Sequence, residues 1–373
     1  MRTIKLGIPI SLTGRYKIQA TESFEGLTLF VSDINRAGGI FVPGPGRKLP
    51  LELIHYDDES SVRRCRELTE RLIVRDGADL LIGPYSSSLA LVAAEVAEAH
   101  GKTLWNHGGS TDEIGKRGFA CIISSISPAS SYMGGIINLI RSVDGEARRV
   151  ALLSAYDSGF SESVALGAKA EAGRAGFDAR DFKFKSGEGD FRGLLLEVRE
   201  YDPDLMLVMG RAEDDISVAK EIFRSGISVK GVGLVVASIK LFLDTFGSDV
   251  EGFMSVSQWE RGLKIEPDIG PTPIGFAERF KSVYGKEPDY LAAQGYNIGL
   301  IIQECILKSS TLDDATLRDT AKNIELKTFY GIFRTDSSGN QRGHEIVVVQ
   351  WQGGKKVIVH PEQYSEARLI YPL

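Results

Sequence analysis

Cysteine is scarce in this chain. Cys65, Cys121 and Cys305 are its only three among 373 residues, widely spaced and without a CxxC pair. An odd, scattered set of this kind excludes a disulfide framework and a cysteine-based zinc site, and points to buried free thiols. Long apolar runs are missing too: no stretch of about eighteen apolar residues exists to span a membrane. Basic residues are not concentrated, and the formal net charge is −6. This balance gives no footprint for nucleic acid or an anionic membrane surface. No cleavable leader is expected, because Met1-Arg2-Thr3 runs straight into the apolar stretch Ile4 to Ile10, which reads as a strand.

Enzyme signatures are absent as well. There is no GxGxxG dinucleotide fingerprint and no GxSxG elbow. Gly44-Pro45-Gly46-Arg47-Lys48 is Gly-rich and basic, but it lacks P-loop spacing and the hydroxyl residue after lysine. Asp57-Asp58-Glu59 reads as a solvated turn and helix cap rather than a metal site. No nucleophile–base pair, cofactor loop or metal set emerges, so the expectation is a protein without catalysis, cofactor or metal.

What the chain does have is regular alternation. With 43% hydrophobic and 25% charged residues, it is long enough for two lobes of medium size. Strand-like runs at Lys5–Ile10, Leu49–His55, Leu80–Ile82 and Thr103–Asn106 alternate with helical patterns at Ser23–Ala37, Ser61–Arg75 and Leu89–His100. The pattern restarts with a helix at Ala129–Arg141 and strands at Val150–Leu153, Phe182–Phe184, Leu205–Met209 and Val232–Val236. Helices are expected between those strands at Ser161–Ala175, Phe191–Tyr201 and Asp214–Ser225. Three more helical segments follow the strand Phe253–Ser257, and Glu345–Trp351 and Lys355–His360 form a hairpin around Gly353-Gly354. Such βαβ series predict an α/β protein: two doubly wound parallel-sheet lobes with helices on both faces.

In open parallel sheets, ligands bind beyond the carboxyl ends of the strands. Gly83-Pro84-Tyr85-Ser86-Ser87-Ser88 lies between a buried strand and a helix. Its hydroxyls and the N–H groups of the helix start suit a carboxylate, although serines there also serve simply as N-caps. Trp105-Asn106-His107-Gly108-Gly109-Ser110-Thr111-Asp112 follows the next strand and offers glycines for close backbone approach plus more hydroxyls. His107 has no His, Cys or Glu partner at ligand spacing, which favours a structural histidine.

These motifs resemble the branched-chain amino-acid-binding proteins of the type I periplasmic solute-binding class. The resemblance rests on Ser11-Leu12-Thr13-Gly14, Asp33-Ile34-Asn35 through Gly38-Gly39-Ile40, and Tyr56-Asp57-Asp58. It continues through Ile82-Gly83-Pro84 with the serines, and the Gly108-Gly109-Ser110 loop. It extends through the second half to Gly339 and the closing hairpin. The resemblance implies the periplasmic binding protein-like I fold, with three hinge crossovers near Ile122–Ser127, Met254–Trp259 and Thr328–Phe333. The lobes would then be residues 1–122 with 255–329, and 123–254 with 330–373.

The function implied is that of an extracytoplasmic, monomeric component of an ABC importer. It would capture an amino acid or a related small carboxylate or amide between two closing lobes and deliver it to a membrane permease. A cytoplasmic amide sensor of the same fold is the alternative. Carried over position by position, the ligand carboxylate falls to Ser87 (with Ser86 or Ser88 as neighbouring registers), Gly109 and Ser110. Leu12, Arg15 and Tyr16 line the cleft mouth, and Tyr85 and His107 sit in the same loops.

The second lobe departs from the amino-acid pattern. Where relatives place an acid for the ammonium, Val235 and Val236 stand; Arg211 or Ala212 replaces an aromatic residue, and Phe160 stands for a frequent tyrosine. An ammonium buried against valines would be an unpaired charge costing several kcal/mol. The expected ligand is therefore a small carboxylate or amide, aromatic ones included. Tyr85, Trp105, Phe160 and Trp259 are candidate packing partners and Arg211 a candidate for a second acidic group. Asp157 or Glu213 stays open as an ammonium partner.

Overall fold

The computed structural model describes residues 2–44 and 46–373; Met1, and Pro45 within the Pro/Gly-rich loop Val42–Gly46, lie outside the described residues. The chain forms two compact units. Unit 1 takes Met1–Ser127 and Leu263–Glu345, and unit 2 takes Pro128–Gly262 and Ile346–Leu373, so the chain passes between them three times.

In chain order, unit 1 opens with β1 (Ile4–Ile10), α1 (Lys17–Arg36), β2 (Ile40–Val42), β3 (Arg47–Leu49) and β4 (Leu51–Asp57). It continues with α2 (Val62–Val74), β5 (Leu80–Ile82), α3 (Ser87–Ala99), β6 (Leu104–Asn106), α4 (Glu113–Lys116) and β7 (Ile122–Ser124). Its main sheet has the order β4-β1-β5-β6-β7 with every pair parallel. β1, β5, β6 and β7 are buried almost throughout, as befits strands covered on both faces. The strand order reverses between β1 and β5, which makes the loops after those strands a topological switch point.

Unit 2 then supplies α5 (Gly134–Val143), β8 (Arg149–Ala155), α6 (Gly159–Arg174), β9 (Asp178–Phe184), α7 (Arg192–Tyr201) and β10 (Leu205–Met209). After these come α8 (Ala212–Ser225), β11 (Gly231–Leu234), α9 (Lys240–Phe246) and β12 (Met254–Ser257). Unit 1 resumes with α10 (Pro273–Tyr284), α11 (Tyr290–Ser309), α12 (Asp314–Asn323), β13 (Leu326–Thr328) and β14 (Gly331–Phe333); β15 (Val347–Gln352) and β16 (Lys355–His360) end unit 2. The second sheet runs β16-β15-β12-β11-β10-β8-β9. Its parallel part repeats the strand order of unit 1, with the switch point between β8 and β10. β15 and β16 add an antiparallel hairpin whose turn puts Gly353 and Gly354 at φ 58° and 71°. Positive φ at both central residues is what a tight hairpin turn requires.

Several elements differ from the sequence expectation. α1 begins at Lys17 rather than Ser23, because the β1 loop ends as early as Tyr16. The expected helix Ala129–Arg141 is a 3₁₀ turn at Ala129–Ser131 followed by α5. Ile122–Ser124, expected as a crossover, is the edge strand β7, and the crossing follows Ser127. The third crossover is corrected further: residues 328–333 belong to the hairpin β13–β14 inside unit 1, and the crossing follows Glu345. Ser124 N donates to Gly339 O (2.8 Å) and Gln341 Nε2 to Ser125 O (3.3 Å), which ties Gly339 and Gln341 to the end of β7. Residues 255–262 stay with unit 2, since β12 pairs with both β11 and β15.

The tightest packing in unit 1 joins α1 to α11. A Cβ on Gly26 would lie 1.9 Å from Ala292 O, and one on Gly295 would lie 2.0 Å from Ser23 O. Nothing larger than hydrogen fits at either point. Arg279 braces the same region with Nη2 2.7 Å from Asp33 Oδ1. Gly26→Ala or Gly295→Ala is expected to lower stability by about 1–3 kcal/mol or more through overpacking, read as a lower urea midpoint. An unchanged midpoint would mean that the helices separate without cost.

Candidate functional site

Within unit 1 the site is built from the loops after β1, β5 and β6. The β1/β4 register sets Ile10 opposite Asp57, so the Asp57 carboxylate lies beside the first loop. Its Oδ1 accepts from Leu12 N (3.0 Å), Thr13 N (3.2 Å) and Glu59 N (2.9 Å), and its Oδ2 from Thr13 Oγ1 (2.8 Å). Burial alone would raise the pKa of Asp57, but these donors together hold it below the ordinary carboxylate value. Asp58 is fully buried and accepts from Ser11 Oγ at 2.6 Å. Burial raises its pKa. The acidic turn is thus a loop anchor, and the helix cap belongs to Ser61.

The β5 loop enters α3 through Ser86, whose φ of 90° is ordinarily glycine territory. The conformation is held by Ser86 N donating to Gly108 O (3.2 Å), which fastens the β5 and β6 loops together. Their approach is close enough that a Cβ on Gly108 would meet Pro84 O at 2.6 Å. Ser86 Oγ caps α3 by accepting from Leu89 N. Ser87 Oγ accepts from Thr111 N (3.1 Å), so its own O–H remains as a donor. Ser88 Oγ is 3.4 Å from Tyr16 Oη, and the Tyr16 and Tyr85 rings meet edge to face at 6.1 Å. Arg15 lies over the Tyr16 ring, 4.6 Å from its centroid. The fold therefore brings Tyr16, Tyr85, Ser86, Ser87 and Ser88 together at the switch point. Ser110 sits 8% exposed in the adjoining loop. The first-turn N–H groups of α3 have no intrahelical acceptor and add positive potential. Hydroxyl donors, peptide N–H groups and an aromatic pair make a surface suited to a small carboxylate.

Two of the candidate ligand residues in these loops, Gly109 and His107, are engaged within the fold instead. Gly109 does not offer its N–H, because Asn106 Oδ1 accepts it (2.9 Å) while Asn106 Nδ2 donates to Gly109 O (2.7 Å). His107 is fully buried, with Nε2 2.7 Å from Ser23 Oγ, and ties the β6 loop to α1. Burial drives its pKa down to about 4, opposed by the Gly83 backbone, so it is a neutral structural imidazole. Trp105, a candidate packing partner, is likewise fully buried in β6. The sequence reading gives Asn106 no role of its own. The usable signal was an Asn three residues before a glycine at a strand end, where one amide can pair with both backbone groups.

In unit 2 the corresponding loops follow β8, β10 and β11. Phe160 opens α6, half-buried, with its ring edge on Tyr132 (5.7 Å). Arg211 caps α8, half-buried, and its charge together with the Ser186 N–H lowers the pKa of Asp157, the N–H contributing more. Glu213 is exposed. Val235 is corrected: it is 8% exposed and packs into the core with Ile136 and Leu207. Trp259, after β12, is 1% exposed, so its ring is enclosed rather than presented. An open hollow of about 520 Å³ lies at the β8–β9 end, lined by Tyr156, Lys183, Lys185 and Ser186 among others.

The cysteines are free and buried. No helix among the described residues is long and apolar enough to cross a membrane.

Two doubly wound sheets with one strand order, joined by three chain passages, define the type I solute-binding class. The sequence matches the family described as periplasmic binding protein over residues 3–356, and the chain belongs to that family. A curated relative, Leu/Ile/Val-binding protein homolog 8 of Brucella abortus, is 24% identical over 99% of this chain and 93% of that protein. The branched-chain amino acid transporter substrate-binding protein LivJ of Streptococcus pneumoniae, solved with isoleucine, superposes with TM-score 0.80 at 19% identity. That match covers 100% of both chains. A solute-binding protein of an ABC transporter from R. palustris, solved with benzoate, gives TM-score 0.79 at 18% identity over 96% of each chain.

The His107 assignment has a sign. Between about pH 6.5 and about pH 4 the unfolded chain holds a proton at this imidazole that the native chain excludes, so stability rises with pH across that window. The slope is at most about 1.4 kcal/mol per pH unit. His107→Gln is expected to flatten this part of the urea-unfolding pH profile. An unaltered slope would show that the native imidazole is already protonated.

Proposed function

We propose that this chain is the extracytoplasmic substrate-binding component of an ABC importer, serving a membrane permease and capturing a small carboxylate-bearing solute. The observation that carries the proposal is the unit 1 switch point. There the Ser87 hydroxyl, already accepting from Thr111 N, is left with a proton to give, beside Ser110 and the start of α3. Family membership supports the binding role, and the named solutes of the two structural neighbours, isoleucine and benzoate, share a carboxylate. The strand ends of unit 2, where Phe160 and Arg211 stand, are proposed as a second surface for solute recognition. The loops offer binding groups without a nucleophile–base pair, which favours capture over chemistry.

A thermal-shift screen of ligand-stripped protein tests the reading with isoleucine, benzoate and their primary amides, which lack the carboxylate. A ligand at about 100 times its Kd adds about 2.7 kcal/mol and moves the midpoint by degrees. Carboxylates are expected to shift it and the amides to shift it less; equal shifts would remove the carboxylate from the proposal.

Ser87→Ala and Ser110→Ala are each expected to weaken binding by roughly ten- to 150-fold, the worth of one hydrogen bond to a charged group. Ser110→Ala should hardly move the ligand-free midpoint, whereas Ser87→Ala also removes the acceptor of Thr111 N and is expected to lower it. Unchanged affinity in the double variant, by calorimetry, would sink the hydroxyl clamp.

A further inference from the structure

Four loops leave the carboxyl ends of β8, β9, β10 and β11 in unit 2, and three carboxylates fasten them to one another. Asp157 Oδ1 accepts from Ser186 N (2.9 Å), linking the β8 and β9 loops. Asp214 accepts from Gly187 N (2.6 Å) through Oδ1 and from Arg211 N (3.2 Å) through Oδ2, linking the β9 loop to the start of α8. Asp215 accepts from Gly210 N (2.6 Å) and, with its other oxygen, from Val236 N (3.3 Å), linking the β10 and β11 loops. Asp214 is 2% exposed and Asp215 is fully buried. The chain is moulded around them: a Cβ on Gly210 would lie 2.7 Å from Asp214 Cβ and 2.8 Å from Asp215 Oδ1.

Burying a carboxylate is expensive, and an apolar residue in the first turn of α8 would avoid the cost. What a carboxylate alone offers is two acceptor oxygens and no donor, so it can take one N–H from each of two loops. An asparagine in the same place would set its own N–H group against a peptide N–H. The first turn of α8 is also where its dipole best tolerates negative charge. Arg211 and the turn after β11 are the segments so held, and both stand at the strand ends where unit 2 would meet a solute. Because their oxygens are already engaged, these two carboxylates serve the loops.

We infer that Asp214 and Asp215 are positioning residues for solute recognition, fixing Arg211 and the turn after β11 by accepting the peptide N–H groups of three strand-end loops. The inference rests on the proposed binding role of those strand ends. Its test uses the full chain with Asp214→Asn, Asp215→Asn and, as a variant that displaces the brace without removing a charge, Gly210→Ala.

Amide hydrogen exchange of the ligand-free proteins is expected to speed up at Gly187, Gly210, Arg211 and Val236 while β8 and β10 stay protected. Affinity is then measured by calorimetry for isoleucine and benzoate, well below each variant's unfolding midpoint. The Kd of whichever compound the parent protein binds is expected to rise about tenfold, the loss of one hydrogen-bonded restraint. A variant with faster local exchange and unchanged Kd would reduce the carboxylates to structural supports and overturn the inference. Unchanged exchange would overturn it as well. Should Asp215→Asn fail to fold, Gly210→Ala decides by the same two readouts. If Ser87→Ala weakens binding while these variants do not, only this inference falls. If neither compound binds the parent protein, the binding role fails and takes the inference with it.

Discussion

A parallel strand that ends at the mouth of a doubly wound sheet hands the chain to a loop whose peptide N–H groups have no ladder partner. In both units of this chain, polar side chains near the strand ends meet that need. Asp57 collects the donors of the β1 loop, Asn106 closes the β6 loop on both its N–H and its C=O, and Asp214 and Asp215 gather the loops of unit 2. An unpaired buried N–H costs about as much as a lost hydrogen bond, so the loops settle where these acceptors are.

The same constraint sorts the polar groups into those the fold consumes and those it leaves for recognition. Gly109 and His107, lying in the most suggestive loop of the sequence, are spent on Asn106 and Ser23. Ser87 escapes because its oxygen accepts from Thr111 N while its proton remains to be given. A hydroxyl is both donor and acceptor, so it can anchor a loop and still present a hydrogen bond. A serine-rich strand end thus combines rigidity with recognition where a carboxylate would be exhausted by the first task. The strained φ of Ser86 fits this picture, since its N–H ties the β5 loop to Gly108 and seats the start of α3.

Much of the architecture was legible. Buried strands such as Leu80–Ile82 and Leu205–Met209 stand out as short apolar runs between helical periods, and the alternation identifies a doubly wound fold. The serine loop was legible too, because hydroxyls between a buried strand and a helix have few roles. Less visible were β7 and the hairpin β13–β14, read as crossovers: β13 and β14 lack an unbroken apolar run, the resemblance places a passage at β7, and pairing decides their state. Val235 faces a ligand in the sequence reading because it stands where the resemblance places an acid, but the chain turns there and buries it among core residues.

What the residues alone determined is the pattern: which segments alternate, where glycines and serines gather at strand ends, and that no catalytic set is spelled out. These follow from local periodicity and side-chain chemistry, which need no knowledge of distant neighbours. Only the tertiary structure decided which of the gathered groups remain for a ligand. That depends on partners remote in sequence: Ser23 for His107, Ser87 for Thr111, Val236 for Asp215. Each hydrogen-bonding group has a small, fixed capacity, and folding assigns it before any solute arrives.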